Sequence, residues 1–231
     1  MVNSPALSGM PPSGTTVPAL VRAAAGDDEL EAVWLNELGG LTYRAGARYL
    51  KWSPPGGPDL TAERARLDWA SPYHPVPEVL QLRVDAGAQL LVTRALPGAS
   101  AVLLEPRIAA RALGEGLRAL HEHLPVAACP FSRSAEERGG VNPPPVDEPV
   151  VAHGDPCVPN TLVGADGRWS AHVDLGRLGR ADRWADLAVA SGNLDLNFGP
   201  GWQPEFFAAY GIGRDEERIR YYRRRWDTEA A

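Results

Sequence analysis

The sequence predicts a two-lobed α+β fold, in which an antiparallel five-stranded sheet with one helix precedes a mainly helical lobe. Three observations support this prediction. Short apolar segments alternate with glycine turns early in the chain, segments with helical periodicity fill its later part, and a Pro97-Gly98 break separates the two. We place the first lobe at 17–97, the second at 98–231, and a flexible tail rich in Pro, Gly, Ser and Thr at 1–16.

The first lobe begins with a meander of three short strands. They are predicted at 32–36, 41–44 and 48–52, with turns at Gly39-Gly40 and Ala45-Gly46. In the third strand Tyr49 and Lys51 are two residues apart, so their side chains lie on the same face of the sheet.

One helix and one hairpin complete this lobe. In the helix, at 60–70, apolar residues recur with helical spacing and charged residues fall outside them: Leu60, Leu67 and Ala70 against Arg64 and Asp68. Glu63 lies in its first or second turn. The hairpin turns at Asp85-Ala86-Gly87, and its second strand is predicted at 89–93.

The second lobe begins with a long helix at 105–124. Its apolar stripe consists of Ile108, Leu113, Leu117 and Leu120. Residues 132–149 contain a run of prolines and no apolar periodicity, which indicates a surface excursion. The rest is predicted as short strands within 149–152, 161–166 and 170–176, then helices at 180–192, 203–211 and 215–227.

Composition limits the functional classes. The formal net charge is −6, which argues against a nucleic-acid partner, and no apolar run is long enough to cross a bilayer, so no membrane partner is expected. Cys129 and Cys157 are far apart and form no Cys-x-x-Cys pair, which indicates a reducing compartment and a cytoplasmic protein. Among 23 basic residues only Lys51 is a lysine.

Two short patterns of one form carry the chemistry, His153-Gly154-Asp155 and His172-Val173-Asp174. A pair of His-x-Asp patterns is compatible with a metallohydrolase, although such a site needs further ligands that the other histidines do not supply. The first pattern also continues to Asn160, which is the spacing of the kinase catalytic loop, and Asp174-Leu175-Gly176 follows fourteen residues later, in the place of the kinase Asp-Phe-Gly.

Phosphoryl transfer gives each of these residues a role. Lys51 would contact the α- and β-phosphates, and Glu63 would hold its ammonium group. Asn160 and Asp174 are oxygen donors suited to Mg²⁺. Asp155 would accept the hydrogen bond of the acceptor hydroxyl and take its proton.

The segments VVAHGDPCVPNTLV and HVDLGRLGRADRWADLA closely resemble the aminoglycoside phosphotransferases, above all their 3'- and 3''-phosphotransferase branches. The resemblance covers about 32–227 and implies a protein-kinase-like fold. It also implies ATP- and Mg²⁺-dependent phosphorylation of a hydroxyl group of an aminoglycoside, a small cationic molecule, and hence antibiotic resistance by inactivation. Whether ATP or GTP is the donor stays open.

The resemblance also implies roles for individual residues. Asp155 matches the catalytic aspartate, Asn160 and Asp174 match the magnesium ligands, and Lys51 and Glu63 match the phosphate-lysine pair. Two further matches concern the nucleotide: Tyr49 matches an aromatic residue that stacks on adenine, and the backbone of Thr93 and Ala95 matches the hinge that hydrogen-bonds the adenine edge. Gly39 and Gly40 would give flexibility to the loop that covers the phosphates, although this loop departs from the Gly-x-Gly-x-x-Gly pattern of protein kinases.

Three residues are candidates for contact with the acceptor: Arg177, Trp226 and Asp227. Trp226 and Asp227 correspond to the acidic and aromatic chain end of the 3' branch, whereas Arg177, with Asp182 and Arg183, matches a segment that supports the loop. The shortness of 132–149 keeps another acceptor open, such as a macrolide, a peptide antibiotic or a metabolite. A non-catalytic nucleotide-binding module and a metallohydrolase are the remaining alternatives.

Overall fold

The computed structural model describes residues 9–135, 137, 139–140 and 142–229, with side chains up to Trp226. The described chain has the predicted α+β class and forms two compact units. The first consists of Met1–Trp69 and Pro77–Ala95, and the second of Ala70–Val76 and Leu96–Ala231. The short segment Ala70–Val76, which lies in the first lobe by sequence, therefore packs with the second unit.

The first unit contains the predicted five-stranded antiparallel sheet. Its strands are β1 (Leu30–Leu35), β2 (Leu41–Ala45), β3 (Arg48–Ser53), β4 (Val79–Asp85) and β5 (Ala88–Arg94), in the spatial order β1-β2-β3-β5-β4. The turn between β4 and β5 has positive φ at Ala86 (47°) and Gly87 (83°), as expected of a tight hairpin turn.

Among the described residues of this unit there are two helices, one more than the sequence predicts. The helix α2 (Leu60–Ala70) has the predicted bounds and buries the predicted face, with Glu63 also buried. The unpredicted α1 (Ala19–Ala25) begins after Pro18 and ends at Gly26. Only seven residues long, it is too short to show a helical period, and it forms because Val21 and Ala25 pack on the apolar face of the sheet.

The structure describes only part of the segment 1–16, which is predicted to be a flexible tail. Residues 1–8 lie outside the described part of the chain. Gly9, by contrast, pairs with Leu35 of β1 through two backbone hydrogen bonds of 3.0 and 2.7 Å. The chain at this point is thus tied to the edge of the sheet.

The second unit is mainly helical, with two small sheets. Its helices are α3 (Pro106–His123), α4 (Trp184–Phe198), α5 (Gln203–Tyr210) and α6 (Glu216–Glu229). Its strands are β6 (Ala99–Ser100), β7 (Pro149–Ala152), β8 (Thr161–Val163), β9 (Trp169–His172) and β10 (Gly179–Asp182), paired as β6-β8-β9 and β10-β7. Leu113, Leu117, Leu187 and Phe206 lie at the centre of its core.

Two predictions for this unit are wrong in detail. Ile108 is 38% exposed, because the buried face of α3 runs through Ala109, Leu113 and Leu117 instead. Residues 180–182 form a strand and not the start of a helix, since β10 pairs with β7. This pairing is a tertiary contact that local periodicity does not reveal.

The excursion at 132–149 is fixed at both ends where the structure describes it. The N–H of Arg133 donates to the carbonyl oxygen of Arg180 at 2.9 Å. At the other end, the indole N–H of Trp184 donates to Asp147 at 2.9 Å. None of the helices in the described part of the chain combines the length and the apolar character needed to cross a membrane.

Candidate active site

The first His-x-Asp segment leaves the end of β7 and turns sharply at Gly154. This glycine has a φ of 83°, and a Cβ atom placed on it would lie 2.1 Å from the carbonyl oxygen of Arg177. An L-residue would meet both the conformational penalty and the clash. The glycine is therefore required where the segment after Asp174 approaches the loop.

A buried carboxylate anchors this loop from α4. Asp186 accepts hydrogen bonds from the backbone N–H of His153 at 2.6 Å and of Gly154 at 3.0 Å. The ring of His121 lies 3.0 Å from the same carboxylate. Burial alone would raise the pKa of Asp186, but the contacts with His121 and the loop hold it below its usual value.

Sequence reasoning missed Asp186. The available signal was a carboxylate inside the apolar run WADLAVA, since a buried acid without partners is costly and therefore indicates a fixed set of donors. Asp182 and Arg183, which the sequence assigns to support, take part in a network with the excursion: Arg183 pairs with Asp147, and Arg218 with Asp182 at 3.0 Å.

Asp155, the predicted base, lies on this anchored loop. Its backbone carbonyl accepts hydrogen bonds from the N–H of Cys157 at 2.8 Å and from Nδ2 of Asn160 at 3.0 Å. Its Oδ1 accepts the thiol of Cys157 at 2.7 Å. Burial raises the pKa of Asp155, and the nearby charge of Asp174 raises it further, whereas Cys157, His153 and Arg177 act in the opposite direction.

The two predicted cation ligands belong to the same assembly. The N–H of Val173 donates to the carbonyl oxygen of Asn160 at 3.0 Å, which joins the end of β9 to the loop that carries Asp155. Asp174 has a φ of 61°, a left-handed conformation that is uncommon for a residue other than glycine and that concentrates at functional sites.

These two side chains fit Mg²⁺ by their chemistry. The amide nitrogen of Asn160 is engaged with Asp155, so the amide oxygen is the atom that it can offer to a cation, beside the carboxylate of Asp174. Within the described ranges, no group of three or more His, Cys, Asp or Glu side chains is arranged to hold a metal ion. Mg²⁺ commonly uses one or two protein oxygens and completes its shell with phosphate and water.

The first unit brings together the predicted phosphate-lysine pair. Nζ of Lys51 on β3 lies 2.8 Å from Oε2 of Glu63 on α2, and the two side chains are only 23% and 8% exposed. Such a partly buried pair is held in one geometry, unlike a surface pair. Lys51 thus has a fixed direction, as contact with phosphate oxygens requires.

The residues predicted to contact adenine lie on β3 and on or just after β5. Tyr49 lies opposite Thr93 in the sheet. The N–H of Ala95, predicted to face adenine, donates to the carbonyl oxygen of Ala47 at 2.9 Å. A hydrogen bond from Ala95 to adenine would therefore require this backbone contact to open.

The glycine turn between β1 and β2 is closed by Asn36. Its Oδ1 accepts the N–H of Leu38 at 3.0 Å and of Gly40 at 2.7 Å. Gly39 has a φ of 78°, and a Cβ atom on Gly40 would lie 2.5 Å from Nδ2 of Asn36. The positive φ of Gly39 thus favours glycine, and a larger residue at Gly40 would require the Asn36 side chain that closes the turn to shift.

The two histidines of the His-x-Asp patterns contact each other inside a buried cluster. The rings of His153 and His172 lie 5.3 Å apart, and Nδ1 of His172 is 2.9 Å from Nε2 of His74. Burial and, to a smaller extent, neighbouring histidines lower the pKa of His74 to about 3; the pKa of His172 is lowered for the same reasons. Nε2 of His153 bonds the carbonyl oxygen of Val173 at 3.1 Å, so these rings serve as mutual partners and loop supports.

The predicted acceptor residues are partly described. The guanidinium of Arg177 lies 5.0 Å from the centre of the Trp226 ring, within the range of a cation–π contact. Arg177 also contributes to the electrostatic field at Asp155. The side chain of Asp227 lies outside the described part of the chain.

Known proteins resemble this chain over most of its length. A sequence model of the phosphotransferase enzyme family (APH) matches 40–143 and 140–222. The streptomycin 3''-kinase of Streptomyces griseus is 35% identical over 94% of this chain and 97% of that protein. An aminoglycoside 3'-phosphotransferase of Streptomyces fradiae is 34% identical over 71% of this chain and 77% of its own.

Solved structures of aminoglycoside phosphotransferases also resemble this chain. The aminoglycoside phosphotransferase of Streptomyces rimosus, in complex with ADP and streptomycin, aligns with a TM-score of 0.71 at 32% identity, over 88% of this chain and 93% of that one. An aminoglycoside-3'-phosphotransferase of type VIII aligns with a TM-score of 0.76 at 28% identity, over 90% and 96% of the two chains.

Proposed function

This chain belongs to the phosphotransferase enzyme family, and on that premise we propose that it transfers the γ-phosphoryl group of ATP to a hydroxyl group of an aminoglycoside, with Mg²⁺ as cofactor. The similarity to a streptomycin 3''-kinase and to a structure that binds ADP and streptomycin supports this proposal. The bound ADP of that relative favours an adenine nucleotide over GTP.

One observation carries the assignment of roles. The amide of Asn160 bonds the backbone of Asp155, and the carbonyl of Asn160 accepts the N–H of Val173, next to Asp174. The proposed base and both proposed cation ligands thus belong to one hydrogen-bonded assembly. Positioning of this kind is the main contribution that an enzyme makes to phosphoryl transfer.

Each side chain of the proposed site has its own role in phosphoryl transfer. Asp155 accepts the hydrogen bond of the acceptor hydroxyl, aligns its oxygen and takes its proton. Lys51, directed by Glu63, contacts the nucleotide phosphates. Asn160 and Asp174 hold Mg²⁺, which neutralises phosphate charge when it is bound.

Streptomycin is the first acceptor to test, and the 3''-hydroxyl the first position, because the Streptomyces griseus relative is a streptomycin 3''-kinase and the Streptomyces rimosus relative binds streptomycin. Phosphorylation there would inactivate the antibiotic and confer resistance. A cytoplasmic location and the absence of nucleic-acid and membrane partners stay predictions, and the two free cysteines are in keeping with a reducing compartment.

The test is acceptor-dependent ADP release. The purified chain is mixed with ATP, Mg²⁺ and a panel of streptomycin, other aminoglycosides, macrolides and peptide antibiotics, and the product is located by ³¹P NMR. We expect release of ADP with streptomycin or another aminoglycoside, and a fall of at least about 100-fold in Asp155→Asn. Release with a macrolide or a peptide alone would contradict the proposed acceptor, and full activity of Asp155→Asn would contradict the proposed base.

A further inference from the structure

We propose that Cys157 is a positioning residue for phosphoryl transfer: its thiol holds Oδ1 of Asp155, so that Oδ2 is the oxygen that takes the acceptor proton. The inference rests on the proposed function, because it takes Asp155 as the base. Its starting point is a contact that phosphoryl transfer does not itself demand, the hydrogen bond of 2.7 Å from Sγ of Cys157 to Oδ1.

The backbone of Asp155 is fixed without the thiol. Its N–H donates to Nδ1 of His153 at 3.3 Å, and its carbonyl accepts from Cys157 and Asn160. These contacts determine where the side chain begins, but not its rotation about χ1 and χ2. The thiol of Cys157 is the contact that restricts this rotation.

The two carboxylate oxygens of Asp155 have different surroundings. Oδ1 accepts the thiol, whereas no group among the described residues donates to Oδ2. A general base needs one oxygen within hydrogen-bond distance of the hydroxyl proton, and Oδ2 is the oxygen that is open to it.

The transfer step exchanges one bond to the γ-phosphorus for another. The acceptor oxygen forms a bond to the γ-phosphorus while the bond from that phosphorus to the oxygen of ADP breaks. The proton of the acceptor hydroxyl passes to Oδ2. Oδ1 keeps its hydrogen bond to the thiol throughout, so the carboxyl group does not rotate as its charge changes.

The thiol is suited to donate and not to react. Burial raises the pKa of Cys157, and the charge of Asp155 raises it further, whereas Arg177 acts in the opposite direction. A thiol is also a much weaker acid than a carboxyl group, so in the contact of 2.7 Å between Sγ and Oδ1 the proton belongs to sulfur, and the side chain is a donor. A thiol donates weakly to neutral groups, but hydrogen bonds to an ionised oxygen are stronger.

The experiment compares Cys157→Ala with Cys157→Ser on the best acceptor of the panel. We expect Cys157→Ala to lower kcat about tenfold, which corresponds to about 1.4 kcal/mol, with both KM values changed by less than about twofold. Cys157→Ser should keep kcat within about twofold of the wild type, since a hydroxyl replaces the donor.

Cys129 provides the matched control. It is the other cysteine of the chain, buried, and its Sγ donates to the carbonyl oxygen of Phe131 at 3.5 Å. Cys129→Ala should leave kcat unchanged. An unchanged kcat in Cys157→Ala, or a Cys157→Ser variant as slow as Cys157→Ala, would overturn the inference.

Infrared spectroscopy tests the contact without turnover. In the Cys129→Ala background the S–H stretch comes from Cys157 alone, and it should move to higher wavenumber when Asp155→Ala removes the acceptor. An unmoved S–H stretch would overturn the inference. If the wild type phosphorylates no acceptor, the proposed function fails, while this measurement still decides whether the thiol holds Asp155.

Discussion

The two His-x-Asp segments of the second unit have the same residue pattern but are held by different partners. The first is anchored by a buried carboxylate, because Asp186 accepts two backbone N–H groups of the loop. The second is anchored by a neutral ring, because the ring of His172 pairs with the ring of His74. The backbone N–H of His172 also donates to the carbonyl oxygen of Pro75 at 3.2 Å. Partners distant in sequence thus decide what each segment can do.

The largest effect is expected from removing the anchor of the first segment. Asp186→Ala leaves Nε2 of His121 and two buried backbone N–H groups without their partner. We expect a loss of about 3–5 kcal/mol in the free energy of unfolding and a fall in kcat of about 100-fold. Urea unfolding measures the loss of stability, and steady-state kinetics measure the fall in kcat.

Asp68→Ala is the control for Asp186→Ala, because it removes an exposed carboxylate paired with Arg64 at 3.2 Å. This change should cost less than about 0.5 kcal/mol. If Asp186→Ala keeps the kcat of the wild type, the catalytic loop does not depend on α4.

Gly154→Ala tests the turn of the same segment. The new Cβ atom would lie 2.1 Å from the carbonyl oxygen of Arg177, so the loop must move, and we expect kcat to fall about 100-fold. Gly167→Ala is matched in backbone, with a φ of 76° and no atom within 4 Å, and should cost only about 1–2 kcal/mol of stability. Equal kinetics in the two variants would show that the clash has no effect on catalysis.

A smaller effect is expected from the anchor of the second segment. His74→Ala leaves Nδ1 of His172 without its partner, and we expect a loss of about 1–3 kcal/mol in the free energy of unfolding. His123→Ala is the control, since that exposed ring lies 5.7 Å from His74. Equal unfolding midpoints for the two variants would contradict the anchoring role of His74.

The histidine cluster also predicts a pH dependence. The pKa of His74 is lowered from 6.5 to about 3, and that of His172 is lowered as well. The unfolded chain therefore binds more protons below pH 6.5, so stability should be constant above that pH and fall as the pH is lowered towards 5.

Urea unfolding between pH 5 and 7.5 measures this dependence, and the slope should decrease in His74→Gln, which titrates one group fewer. The lowered pKa of Asp186 acts only near or below its usual value of 3.8, outside this range. An unchanged slope in His74→Gln would assign the effect to other groups.

Much of this arrangement could be predicted from the sequence, because it depends on local patterns. The five strands, α2, and the Asp155–Asn160–Asp174 spacing are all readable in short segments. The helix α1 was missed because seven residues show no period, and β10 because it depends on pairing with β7. For Asp186 the sequence shows only a carboxylate inside an apolar run, which indicates buried partners but does not identify them, and for Cys157 it shows no signal, because residue type and spacing do not reveal contacts.

The most direct test of the unequal roles is a comparison of Asp155→Asn with Asp174→Asn by calorimetric titration with ATP and Mg²⁺, followed by single turnover. We predict that Asp155→Asn binds ATP with Mg²⁺ as tightly as the wild type but transfers phosphate at least about 100-fold more slowly. Asp174→Asn should lose the Mg²⁺-dependent part of the binding. Equal binding and equal transfer rates in the two variants would contradict the account.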